Sequence, residues 1–126
     1  MNILFIDDSD DRHQQFERAM SETNFDTLHA FNYQEAVELL KAKHIQIGVV
    51  LFDHDLGEGK SGSDVASFVL DDLDSARFPT QAVVHSMNPE GAKNIASKLT
   101  TAGIITFIDP FSTEMIKRLI DRLQPQ

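Results

Sequence analysis

The chain has 126 residues, 41% hydrophobic and 25% charged, which fits one globular domain with one core over 1–126. It has no cysteine, which excludes disulfides and thiolate metal sites and suits a reducing, cytoplasmic setting. A formal net charge of −9 speaks against attachment to duplex DNA or an anionic membrane, because phosphate-backbone affinity comes from clustered Lys and Arg.

Met1 to Asp8 carries no basic region, and its apolar run is too short for a signal peptide. No window approaches the roughly 18 apolar residues of a transmembrane helix. In chain order, Asn2 to Ile6 is a short β-branched and aromatic run ending on two acids, which predicts a buried strand. Arg12, Phe16, Ala19 and Met20 then recur at helical spacing, with Asp10 as the expected N-cap. Thr27 to Phe31 predicts a second strand, and Asn32 with Glu35 a capping box opening a helix that buries Ala36, Val37, Leu39 and Leu40. Ile47 to Phe52 is the most strand-like run; it ends at Asp53 and enters a Gly-rich loop closed by Gly62. Val65, Ala66, Phe68, Val69 and Leu73 suit a third helix, and Pro79 closes the connection to a fourth strand over Ala82 to His85. Asn88-Pro89 is an N-cap followed by proline at the first helical position, and Gly103 stops that helix. Ile104 to Ile108 predicts the fifth strand, Asp109-Pro110 breaks it, and Ser112 caps a last helix.

Five strands alternating with five helices imply right-handed crossovers and a doubly wound α/β fold: a three-layer sandwich with a five-stranded parallel sheet in the order 2-1-3-4-5. Ligands of such sheets bind beyond the carboxyl ends of the strands. Those ends carry Asp7 and Asp8, Asp53 to Asp55, His85 to Asn88, and Asp109. Carboxylates gathered at one edge repel one another unless a cation or protons intervene. Oxygen ligands without thiolate suit Mg²⁺ or Mn²⁺, and Asp7, Asp8, Asp53 and Asp55 are the candidate ligands. Asp10, Asp11 and Asp64 read as turn or cap residues, and His13, His29 and His44 as surface or half-buried fillers. His54 and His85 differ because they sit beside the acids, where an imidazole serves as general acid, general base or ligand.

These residues resemble the receiver domains of bacterial response regulators over nearly the whole chain. Ile6-Asp7-Asp8 is similar to their metal-binding acidic pair, and Val49-Val50-Leu51-Phe52-Asp53 to their phosphoacceptor strand. The resemblance implies a flavodoxin-like receiver fold, with Asp55 supplying a backbone carbonyl to the metal and Ser86 sensing a phosphoryl group. One position departs from the pattern. Receivers end their fifth strand with Lys-Pro, whereas this chain has Asp109-Pro110, which predicts a more acidic pocket without its fixed cation. Phe52-Asp53-His54-Asp55-Leu56-Gly57 and His85-Ser86-Met87-Asn88-Pro89-Glu90-Gly91 are in turn similar to motifs of a receiver-like family proposed to process cyclic phosphates, which implies roles for both His54 and His85.

Two functions follow. In the first, the pocket processes a phosphate ester on a small molecule or an RNA end: Asp53, His54 and His85 carry the chemistry, and Ser86 and Asn88 meet the phosphate. In the second, a divergent stand-alone receiver is phosphorylated on Asp53 or binds a partner signalling protein, through its fourth helix, fifth strand and fifth helix by resemblance. A dehalogenase-like phosphatase shares the Asp-x-Asp spacing of Asp53 and Asp55, but it places that pair on its first strand and needs a lysine motif absent after the fourth. Gly59-Lys60-Ser61 fails as a phosphate-binding loop because His54 stands where glycine is required.

Overall fold

The computed structural model describes residues 1–57, 59–73 and 81–124. Pro79 lies outside the described residues, as does the side chain of His44. The strands are β1 (Asn2–Ile6), β2 (Asp26–Ala30), β3 (Ile47–Phe52), β4 (Gln81–Val84) and β5 (Ile105–Ile108). The helices are α1 (Asp10–Met20), α2 (Tyr33–Lys43), α3 (Gly62–Asp72), α4 (Pro89–Thr101) and α5 (Thr113–Leu123). A 3₁₀ turn over His44–Gln46 leads into β3. The sheet is parallel throughout, in the order β2-β1-β3-β4-β5. This is the doubly wound, flavodoxin-like receiver fold.

The three layers follow from alternation along the central strands, whose successive side chains point to opposite faces. Leu4, Ile6, Val50, Phe52, Ala82 and Val84 pack with the apolar faces of α2, α3 and α4. Ile3, Phe5, Val49, Leu51 and Val83 pack with Phe16 and Met20 of α1 and Met115, Ile116 and Leu119 of α5. Central strands buried on both faces therefore read as continuous apolar runs. No helix among the described residues is long and apolar enough to cross a membrane.

The structure alters three local expectations. The N-cap of α1 is Ser9, whose hydroxyl accepts the Arg12 N–H at 3.2 Å, so Asp10 is already helical. The buried stripe of α1 is His13, Phe16 and Met20, with Arg12 rotated toward the sheet edge. At α2, Asn32 accepts the Glu35 N–H at 2.9 Å, while Glu35 reaches back to the N–H of Phe31 rather than that of Asn32. Asn88 caps α4 through the Gly91 N–H and Ser112 caps α5 through the Met115 N–H. Gly103 takes a left-handed φ of 86° just past α4, where glycine escapes the Cβ penalty.

Candidate functional site

Asp7 follows β1 and is fully buried. Its carboxylate collects four donors: the Ser9 N–H (2.8 Å) and Arg12 Nη2 (2.9 Å) on Oδ1, and Arg12 Nε (2.7 Å) and His85 Nε2 (2.9 Å) on Oδ2. Burial alone would raise its pKa, but the bonds from His85 and Arg12 overcome that and hold it down at about 2. Asp53, at the end of β3, goes the opposite way. Burial, then the charge of Asp7, pushes it up to about 6. Two neighbouring carboxyls with environments this different suit different tasks, one permanently charged and one able to carry a proton.

His85 follows β4 and is 1% exposed. Its ring stacks on Phe5 (centroids 4.9 Å apart, 12° between planes) and meets Phe111 at 6.0 Å. Nε2 faces the charged carboxylate of Asp7 and carries the hydrogen of that bond. Nδ1 is buried without a hydrogen-bond partner among the described residues.

His54 is arranged by the following motif. Its Nδ1 lies 3.1 Å from Asp55 Oδ1, and its ring rests on the Cα of Gly91 so closely that a Cβ there would come within 2.5 Å. The glycine of the second run is thus the seat of the histidine of the first. Gly62 is equally constrained: its N–H donates to the His54 carbonyl at 2.7 Å, and a Cβ would meet the Asp53 carbonyl oxygen.

Asp8, Arg12, Asp53, Asp55, His85, Ser86, Met87, Asn88 and Phe111 line one cavity of about 310 Å³ at the carboxyl edge of the sheet. Of the expected metal ligands, the structure groups Asp7 and Asp53 with His85, their ligand atoms lying within 4.8 Å of one another. Asp8 is 43% exposed in its side chain, 3.6 Å from Arg12, and the Asp55 side chain is 77% exposed and turned to His54. Ser86 is buried, its hydroxyl accepting the Asn88 N–H at 3.0 Å and keeping its own hydrogen to donate, while the Asn88 carbonyl oxygen is engaged in capping α4. Asp, Asp and His are suitable donors for a divalent ion. With Arg12 seated, however, both oxygens of Asp7 are fully engaged, and the set does not fit one.

Asp109 does not acidify the cavity. Its carboxylate is held bidentately by Arg118 Nε and Nη2, at 2.8 and 2.7 Å, and it is absent from the cavity lining. The fixed cation comes instead from α1: Arg12 Nη2 lies 3.6 Å from Asp53 Oδ2. A lone arginine in the acidic first turn Asp10-Asp11-Arg12, five residues after a strand-end Asp, was the available signal for it. His13 is likewise no surface filler. It is 3% exposed, with Nε2 2.7 Å from the Asp7 carbonyl oxygen and Nδ1 2.6 Å from His29, whose other nitrogen lies 2.7 Å from Glu17.

A model of the cyclic-phosphate processing receiver domain matches residues 2–101. No curated protein matches the chain. Among solved structures, a response regulator receiver protein from Pseudomonas putida is similar at 18% identity and TM-score 0.72, covering 96% of this chain and 95% of the other. The response regulator TrrA from Thermotoga maritima, in complex with Mg²⁺-BeF, matches at 17% and 0.72, covering 98% of both chains. A response regulator from Burkholderia pseudomallei with a phosphorylated aspartic acid, a calcium ion and citrate matches at 19% and 0.73, over 98% of this chain and 66% of the other. At these identities the likeness shows the fold.

Proposed function

We propose that this chain, which belongs to the cyclic-phosphate processing receiver domain family, hydrolyses a cyclic phosphodiester in the cavity at the ends of β1, β3 and β4. The observation that carries the reading is the Asp7–His85 pair beside Arg12, with His85 on the wall of the cavity. A carboxylate on one imidazole nitrogen orients the ring and stabilises the imidazolium that forms when it takes a proton.

The guanidinium of Arg12 and the hydroxyl of Ser86 meet the phosphate anion at the cavity wall. His85 takes a proton from the attacking water, whose oxygen forms the new bond to phosphorus. The ring P–O bond breaks, and the departing alkoxide takes the proton of the Asp53 carboxyl, which burial keeps available. His85 returns its proton to solvent and Asp53 regains one, so the net change is addition of one water. His54, seated on Gly91 and paired with Asp55, orients the Asp53 loop, its own N–H donating to Asp53 Oδ1 at 2.9 Å.

A second reading has Asp53 accept a phosphoryl group. It is supported by the position of Asp53 on the cavity wall 3.6 Å from a guanidinium. One experiment separates the two. The chain is incubated with a 2′,3′-cyclic nucleotide or with acetyl phosphate; products are read by ³¹P NMR and the protein by intact mass. Ring opening by the wild type that disappears in His85→Ala supports hydrolysis. No ring opening, together with a stable mass gain from acetyl phosphate that is lost in Asp53→Asn, assigns the chain to signalling.

A further inference from the structure

The carboxylates that the sequence offers to a metal already have a cation. Arg12 Nη2 lies 2.9 Å from Asp7 Oδ1 and 3.6 Å from both Asp8 Oδ1 and Asp53 Oδ2. An ionised carboxylate has about four lone-pair sites, and Ser9, Arg12 (twice) and His85 use all of them on Asp7. A small divalent ion demands free oxygen lone pairs at about 2.0–2.1 Å in near-octahedral array. Asp7 can supply one only by releasing the Ser9 N–H, which the backbone fixes at the start of α1, or Arg12 or His85. His85 is 1% exposed and held against Phe5, whereas the Arg12 side chain is 38% exposed, so Arg12 is the partner free to leave. The other place for a fixed cation, the end of β5, holds Asp109 closed on Arg118.

We propose that Arg12 is the resident counter-cation of this pocket and sets its cation specificity: it excludes a divalent ion from Asp7 and Asp53 and presents its guanidinium to phosphate in that ion's stead. The phosphate half rests on the functional reading above; the exclusion half rests on the carboxylate geometry alone. Arginine is needed because its planar fork meets both oxygens of Asp7 while the same Nη2 lies 3.6 Å from Asp53, which the point charge of a lysine cannot reproduce.

The test is a Mn²⁺ titration of the intact chain followed by electron paramagnetic resonance, above pH 6 and without substrate. Arg12→Gln is expected to bind Mn²⁺ at least about tenfold more tightly than the wild type, and Arg12→Gln/Asp53→Asn to lose that gain. Wild-type binding as tight as that of Arg12→Gln overturns the proposal. If Arg12→Gln does not fold, the wild type decides through the NMR signal of its Arg12 Nε–H. Mg²⁺ saturation, whether it leaves this signal unmoved or abolishes it, overturns the proposal; a signal that persists with no saturation supports it. No arm reads turnover, so an inactive wild type would defeat the functional reading and leave the exclusion intact.

Discussion

His85 Nε2 and Asp7 Oδ2 lie 2.9 Å apart with both side chains essentially removed from solvent, although 78 residues separate them in the chain. The bond joins the ends of β1 and β4, which are not neighbours in the sheet, across the end of β3 that carries Asp53. It fixes the imidazole and charges the pocket at once. Asp7→Asn keeps the shape and removes the charge. Both it and His85→Ala are expected to lower kcat/KM for a cyclic nucleotide by about 10²–10⁴. The double variant should be little worse than either single one, because the pair acts as a unit. Multiplicative losses in steady-state kinetics would contradict the pairing.

Gly91→Ala forces a methyl group to within 2.5 Å of the His54 ring, and the ring must move. Overpacking of this kind costs about 1–3 kcal/mol. Removing the ring in Gly91→Ala/His54→Ala should restore most of that loss, giving a large coupling in a double-mutant cycle of urea unfolding. Additive losses would mean that the close approach does not constrain His54.

Asp53 predicts a pH dependence of stability with a definite sign. Its pKa is raised from 3.8 to about 6 on folding, so the native state holds a proton that the unfolded state has released. Its contribution is fully present below about pH 4 and is lost as pH rises through about 6. The loss amounts to roughly 3 kcal/mol at most. The Asp7 carboxyl, lowered to about 2, acts in a different window: its contribution is present above 3.8 and lost as pH falls toward 2. Urea unfolding between pH 4 and 7 should show the decline in the wild type and a smaller one in Asp53→Asn. Equal slopes would remove Asp53 as the cause.

His13 satisfies the buried carbonyl of Asp7. His13→Leu leaves that oxygen without a partner among the described residues, at a cost of about 1–3 kcal/mol. His29→Leu, which removes only the outer member of the chain, should cost less. The comparison of midpoints in urea reads this directly, and the reverse order would place the energetic weight on His29.

The sheet was legible because strands buried on both faces leave runs such as Val49 to Phe52, and the site because strand ends converge in a parallel sheet. What escaped lies in side-chain direction. Arg12 and His13 are adjacent in α1, and helical periodicity alone assigns either to the core; the structure buries His13 and sends Arg12 to the carboxylates. Asp109 was legible as a departure but not in its effect, because its partner Arg118 is nine residues away on an otherwise exposed part of α5. The seat that Gly91 provides for His54 depends on two loops meeting, which neither run shows by itself.

The most direct measurement is hydrolysis of a 2′,3′-cyclic nucleotide in ¹⁸O-labelled water with a chelator present, followed by ³¹P NMR. The wild type is expected to form a phosphomonoester carrying one solvent oxygen, and His85→Ala is expected to form none. Absence of turnover by a folded wild type, or equal turnover by His85→Ala, would contradict the proposed function.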